Sequence, residues 1–474
     1  MPAHAPARRR PGITLACLAV AGISYSLMQS LVAPALPAIQ ADLHASARGA
    51  SWIFSAYLLS ASIATPLVGR LGDIHGKQRV LVVVLISLAV GTTISGLATS
   101  IGPMIAGRII QGISGGMFPL AFGIIRDEFP RERVPGSIGI MSALLGIGGG
   151  LGIVLAGVIV DHLSYHWLFW LPLGPVVLAT IGAAVLIPES PVRAHATINW
   201  RAATLLSIGL AALLYALSEA DTWGWGSPQL LGLAIAGVVI LLAWIRVERR
   251  ARVPLVDMRV MRLRGVWTTN LAAALIGSGM YSGFVLIPQF VETPRSAGYG
   301  FGSSVTGAGV FMVPLTVMML VVSACAGRFE RRFGSRIPLV AGTIATAAAF
   351  ALLTVAHGTR PEFLVATVLM GLGIGLVYAA LPNLIVEAVP ADQTGVATGI
   401  NTIARTVGGA FGTQIAASAI AATVIGSALP TEHGFTVAFA VVTGFLALAI
   451  AAALSVPRRG AGMQPELALE PAHA

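Results

Sequence analysis

The sequence predicts an all-α polytopic membrane protein: fourteen transmembrane helices, arranged as two pseudo-symmetric six-helix halves plus an inserted helical hairpin. Three observations predict the helices and their arrangement. Hydrophobic residues make up 56% of the 474-residue chain and charged residues only 10%, at a mean hydropathy of +0.85, whereas soluble domains are about a quarter charged. The apolar residues fall in successive blocks of the length a bilayer needs, about 20 residues each. The cations alternate between the connections as membrane topology demands. So little polar length remains for a soluble catalytic domain that the function belongs within the membrane.

Taken in order, the blocks lie near 12–39, 49–69, 80–99, 101–126, 136–160, 166–188, 200–218, 228–246, 266–292, 303–327, 337–356, 361–387, 394–426 and 433–456. The first follows Arg8, Arg9 and Arg10, as a signal peptide would. It is too long for one, and apolar blocks keep following, so it reads as the first transmembrane helix. A cytoplasmic N-terminus brings Arg70, Lys77 and Arg79 to the same side, then Arg126, Arg131 and Arg133, then Arg193 and Arg201. The cluster from Arg246 to Arg264, Arg328, Arg331, Arg332, Arg336, Arg458 and Arg459 follow there too; only Arg48, Arg295 and Arg360 fall opposite. Both termini are therefore expected in the cytoplasm, in a bacterial-type inner membrane. The net charge of +10 serves this topology and calls for no nucleic-acid partner. Cys17 and Cys325 lie in apolar blocks as small hydrophobes, too few for a disulfide framework or a zinc site.

A repeat divides the chain. Gly69, Arg70 and Gly76 recur as Gly327, Arg328 and Gly334, an offset of 258. Gly112 and Gly116 recur as Gly371 and Gly375, and Gly136, Gly149 and Gly150 as Gly395, Gly408 and Gly409, an offset of 259. A near-constant offset over separated regions reads as duplication. The expected organisation is 1–190 for the N-terminal six-helix half, 191–265 for the hairpin and a basic cytoplasmic linker, 266–457 for the C-terminal half, and 458–474 for a cytoplasmic tail.

The stretch from Gly69 to Arg79 reads as a tight polar loop between two spans. It holds Gly69, Arg70, Gly72, Asp73, Gly76, Lys77 and Arg79, and three glycines suit close backbone approach and positive φ. Asp73 is placed either to cap a helix N-terminus or to pair with a cation of the opposite half, a contact that exists in only one of two conformations. The plain alternative is a surface ion pair of little worth. The counterpart stretch has Glu330 in place of Gly72 and Arg331 where Asp73 would be, which makes Asp73 the unpaired half of an asymmetric latch.

In the fourth block Arg108, Gln111, Gly112, Gly115 and Gly116 share one helical face. Gly112 and Gly116 suit close helix packing. An intramembrane arginine is costly and faces the bundle interior or a cavity, so Arg108 and Gln111 are candidates for a cavity or proton relay, with a structural bond to backbone carbonyls as the alternative. The thirteenth block places Asn401 and Arg405 similarly, Arg405 about 11 residues in, or ~16 Å at about 1.5 Å per residue. Gly146, Gly149, Gly150 and Gly157 make the fifth block either a bending point or a tight seal. Gln29, Tyr57, Tyr281, Gln289, Tyr378 and Asn383 are polar residues in apolar spans and candidates for substrate contact.

These stretches carry a resemblance. Gly69 to Arg79 is similar to the loop between helices 2 and 3 of the major facilitator superfamily. Trp52, Ala56, Tyr57, Leu58, Pro66 and Gly69 match its second helix, and Arg108, Gln111, Gly112 and Gly116 its fourth. Gly149, Gly150, Gly157, Trp167, Phe169 and Pro172 resemble the helix 5 stretch of antiporters, without the usual proline among the glycines. Pro288, Gln289, Gly309 and Pro314 are similar to the first hairpin of the second half. Over nearly its whole length the chain resembles the fourteen-helix drug:proton antiporters. That resemblance implies efflux of lipophilic drugs or antibiotics by alternating access, driven by a proton gradient with no cofactor, by a protein functional as a monomer in the lipid bilayer.

One departure bears on substrate. Many such antiporters carry an aspartate in helix 1 ahead of an Ala-Leu-Pro sequence; here Ala35, Leu36 and Pro37 are present but Met28 stands at that register beside Gln29. No Asp or Glu falls at mid-depth of any block, which points away from lone cations and toward neutral or anionic amphiphiles. An exporter or permease for one metabolite, lipid or self-made antibiotic is the alternative within transport. An intramembrane lipid-modifying enzyme would need clustered acids or a His/Ser/Cys constellation that the sequence does not offer, and a channel is the third alternative.

Overall fold

The computed structural model describes residues 11–45, 47–190, 199–251, 254–421 and 430–457. Arg8, Arg9, Arg10, Arg193, Arg458, Arg459 and the expected tail lie outside these residues, as do the side chains of Arg48 and Arg331. Among the described residues there are helices and turns but no strand.

The chain opens with α1 (Pro11–Ser30) and α2 (Val32–Asp42), which together form the first expected span. Pro34 lacks the N–H that would bond back to Ser30, and the helix breaks there. The N-terminal half continues with α3 (Ala47–His75), α4 (Lys77–Leu97), α5 (Ile101–Gly112), α6 (Met117–Glu128), α7 (Val134–His162) and α8 (Trp167–Leu186). A 3₁₀ turn, Ile113–Gly116, joins α5 to α6. Next come α9 (Trp200–Ser218), the short α10 (Ala220–Trp223), α11 (Pro228–Arg250) and the short α12 (Met258–Met261). The second half holds α13 (Arg264–Glu292), α14 (Val305–Phe333), α15 (Arg336–Val355), α16 (Arg360–Ala388), α17 (Thr394–Ala421) and α18 (Glu432–Ser455). Among the described residues thirteen helices are long and apolar enough to cross a membrane. The 28-residue α17 is long enough but more polar, carrying Asn401, Arg405 and Gln414.

Separate hydrophobic cores form in the two halves, one running from Leu18 to Ile187 with Val386 attached, the other from Ala272 to Val456. A third, smaller core joins α9 and α11 to Val396 and Ile403 of α17 and to Leu67 of α3. The hairpin therefore lies along the seam where α3 of one half meets α17 of the other.

The turn after α3 differs from the eleven-residue loop the sequence suggested. Helix α3 runs on to His75, Gly76 alone makes the turn at φ +107°, and α4 begins at Lys77. Polar residues did not interrupt the helix because Arg70, Asp73 and Lys77 are buried among partners rather than solvated. Gly76 is needed both for its positive φ and because the Glu189 carboxyl occupies the place of a Cβ.

The glycines of α7 form a seal, not a bend, since α7 is one unbroken helix. A Cβ at Gly146 would strike Met319, at Gly150 Thr316 and at Gly157 Thr306, all on α14. Gly148 and Gly152 are pressed in the same way against Ser26 and Ser30 of α1, whereas Gly149 has nothing within 4 Å. Gly112 and Gly116 likewise pack α5 and its 3₁₀ turn against Ser60 and Val68 of α3, so their close-packing role is realised.

Candidate functional site

The two halves are tied together at the end of the bundle where α3 turns into α4, here termed the basic end. Asp73, 0% exposed, accepts a hydrogen bond from the Val396 backbone N–H at 3.2 Å, in the first turn of α17. A carboxylate on the positive end of a helix dipole is favourable, the more so when buried. Beside it, a Cβ on Gly69 would lie 2.6 Å from the Gly395 carbonyl oxygen, so α3 and α17 cross in backbone contact.

Lys77, also buried, stands 2.6 Å from Asp127 Oδ2 and 3.7 Å from Asp73 Oδ1. Asp73 is thus not the unpaired carboxylate that comparison of the repeats suggested: a lysine one turn on and a helix N-terminus both face it. Asp127 in turn accepts from the Ser190 hydroxyl. The neighbouring Arg126 crosses the seam with both terminal nitrogens, Nη1 to Pro390 O at 3.2 Å and Thr394 Oγ1 at 2.5 Å, Nη2 to Val389 O at 2.9 Å. Its position at the end of a span had offered only a topological reading. Arg79 meets Glu189 at 3.4 Å but is largely exposed, and such pairs are worth little. Arg70 donates to Pro254 O at 3.2 Å in the linker after α11. That linker is held by Glu248, which accepts from Trp244 Nε1 at 3.2 Å and from Leu255 N at 2.9 Å.

The second half repeats the crossing with other chemistry. Gly327 on α14 lies against Gly136 on α7, where a Cβ would fall 2.6 Å from the Gly136 Cα. The buried carboxylate here is Glu330, one residue earlier than the repeat would place it, and it accepts from Asn383 Nδ2 at 2.6 Å within its own half. Asn383 also reaches Pro135 O of α7 at 3.3 Å. Expected at a pocket, Asn383 is instead bound into this crossing.

At mid-depth stand two buried arginines. Arg108 Nε donates to Ile53 O at 3.1 Å, and Nη1 donates to Met28 O at 3.4 Å and Gln111 Oε1 at 2.7 Å, while Gln111 Nε2 bonds Thr92 Oγ1 at 3.0 Å. The guanidinium lies 4.3 Å from the centre of the Tyr57 ring. Arg108 so joins α1 and α3 to its own α5, Gln111 extends the network to α4, and the Met28 carbonyl meets the guanidinium at the register where an acid was expected.

Arg405 on α17 lies 4.6 Å from the centre of the Tyr378 ring on α16. It lines a cavity between the halves with Tyr378, Phe118, Phe122, Ser142 and Asn401. Asn401 donates to Asn270 Oδ1 at 2.9 Å. The cavity measures about 10 Å³, about the room of one water. Tyr25, Tyr57 and Tyr281 lie within electrostatic reach of one another, and Tyr25 within that of Arg405. Of the residues expected at a pocket, Tyr378 lines this cavity. Tyr281 packs on Gly409 of α17, Gln29 is half-buried on α1, and Gln289 is exposed near the far end of α13, because only the opposite face of that helix turns toward the core. Phe118, Phe122 and Ser142 were missed, since apolar and small residues in a span carry no mark of the cavity they line. A larger groove of about 540 Å³ runs outside the bundle between α3, α5 and the start of α9, with an almost wholly apolar lining that includes Trp52 and Trp200.

Residues 18–413 match the family model described as Major Facilitator Superfamily. The chain is 31% identical over 421 residues to the tetracenomycin C resistance and export protein of Streptomyces glaucescens, covering 87% of this chain and 77% of that protein. It is 30% identical to multidrug resistance protein 3 of Bacillus subtilis, over 83% of this chain and 77% of that one. Identity to the puromycin resistance protein pur8 of Streptomyces alboniger is 29%, over 87% and 85%. Among solved structures, the human organic anion transporter MFSD10 superposes with a TM-score of 0.71 at 17% identity, covering 94% of this chain and all of that one. The proton:xylose symporter XylE does so with a TM-score of 0.66 at 15% identity, covering 94% and 95%. At these identities the two structures speak to fold alone.

Proposed function

The chain belongs to the major facilitator superfamily of membrane transporters, and on that premise we propose that it exports lipophilic drug- or antibiotic-like molecules by alternating access. The carrying observation is the junction of the halves: two separately cored bundles enclose an aromatic cavity and are tied at one end by contacts that break if the halves part there. Asp73 at the α17 N-terminus and Arg126 on the α16–α17 connection are such contacts. A substrate that favours the parted arrangement shifts the population toward it by its differential affinity. The names of the relatives, resistance and export proteins, support a drug or antibiotic as substrate.

In this reading the basic end faces the cytoplasm, because Lys and Arg gather on that side of bacterial inner-membrane proteins, and both termini lie there. The proton gradient drives export, with no further cofactor, and one copy of the chain suffices. The test is expression in a pump-deficient bacterium against a broad toxicity panel, with and without an uncoupler. Resistance to several unrelated lipophilic compounds, lost with the uncoupler, is the expected result, with the compounds recovered outside the cell chemically intact. Export of a single molecule with no change in resistance to unrelated drugs would favour the specific exporter instead.

A further inference from the structure

The two mid-depth arginines differ in what their guanidiniums face. Arg108 is fixed within its own half by two backbone carbonyls, Gln111 and the Tyr57 ring, and although its Nη2 finds no partner it does not line the cavity between the halves. Arg405 does line it, at 5% exposure. Its Nε is buried without a hydrogen-bond partner. No carboxylate of the described residues stands within ion-pair distance of it. Among the described residues, the Tyr378 ring face lies against it at 4.6 Å, and Tyr25 stands within electrostatic reach. An arginine cannot discharge itself by losing a proton, and a buried cation without a counter-ion is unfavourable. The complement it lacks is an anion with oxygen acceptors in a planar fork.

The rest of the lining suits the remainder of such a molecule. Phe118 and Phe122, with ring centroids 5.9 Å apart, and Tyr378 across from them present aromatic faces on which a flat apolar body can stack. Ser142 Oγ is buried in the same wall without a partner and can donate a second hydrogen bond. Asn401 is already committed to Asn270. At about 10 Å³ the cavity admits nothing larger than a water until the halves part, so a ligand enters as they separate.

We propose that Arg405 is the anion-binding residue of this cavity, and that the protein selects aromatic or polycyclic acids, with the carboxylate on Arg405 and the ring between Phe122 and Tyr378. This rests on the export reading and names its substrate class. The test uses 2-naphthoate and its neutral isostere 2-naphthamide, titrated calorimetrically into the full-length protein in zwitterionic lipid nanodiscs. The wild-type protein is expected to bind the acid about tenfold or more tightly than the amide, the worth of a charge-assisted bond. Arg405→Gln should bring the two affinities together, and Arg405→Lys should keep part of the preference, retaining the charge but not the fork. Arg201→Gln, exposed at the start of α9, should leave the preference unchanged. Equal affinities in the wild-type protein overturn the proposal without any variant, so it stays testable if Arg405→Gln does not fold. Acid preference that persists in a folded Arg405→Gln overturns it as well. Drug export without acid preference would sink this subsite and leave the export reading; acid preference without export of any panel compound would do the reverse.

Discussion

Where α3 crosses α17, Gly69 lies against Gly395 and the seam is tied by charge; where α14 crosses α7, Gly327 lies against Gly136 and small residues fill the seam along its length. The repeat supplies both crossings with the same glycine pair, one helix from each half. On the first, Asp73 reaches over the seam to the N-terminus of α17 and Arg126 binds three oxygens on the other side. On the second, Glu330 stays bound within its own half, and the seam is sealed by Gly146 on Met319, Gly150 on Thr316 and Gly157 on Thr306. Only the first carries the α9–α11 hairpin along its outer side. The difference teaches that one seam is held by a few directional bonds, which separate all at once, and the other by distributed packing, which tolerates sliding but not added volume.

The comparison can be broken most forcefully at Gly69. Gly69→Leu puts side-chain carbon where the Gly395 backbone lies, so the charged seam cannot close. Export by proteoliposomes should fall to background while size-exclusion still shows one species, and export above half of wild type would contradict the crossing. On the packed seam, Gly150→Val should lower stability by about 1–3 kcal/mol through overpacking, seen as a fall in melting temperature. Its neighbour Gly149→Ala, with nothing within 4 Å, should leave melting unchanged or raise it, as Ala favours helix over Gly. Arg126→Gln removes the guanidinium from the charged seam and should reduce export about tenfold, measured as initial rate. Arg79→Gln, at an exposed pair, should change neither stability nor export beyond about 1 kcal/mol.

Much of this was legible in the sequence, and the limits have physical reasons. The spans, the repeat and the buried face of Arg108 follow from hydropathy and helical spacing. The eleven-residue loop was misread because burial of Asp73 and Lys77 against other helices, which spacing does not report, lets α3 run on to His75. The glycines of α7 announced close approach, but whether to a partner or to a bend depends on α14. Tyr378 and Arg405 stand on neighbouring helices, so sequence suggested both residues without their pairing. Glu330 was read in its correct register, in place of Gly72, but its bond to Asn383 within its own half was not legible, because the repeat fixes backbone more tightly than side-chain chemistry. Trp244 and Glu248, four apart on α11, did offer a signal that helical spacing could have read.

The central claim is that Asp73 holds the α3–α17 seam shut. Spin labels on exposed positions of α4 and α15 at the basic end, in an otherwise wild-type protein and in Asp73→Asn, report the distance between the halves by electron–electron double resonance. Losing a charged acceptor at a helix N-terminus should shift the population about tenfold toward the longer distance, with expression unchanged. The same distance distribution in both proteins, with normal export, would contradict it.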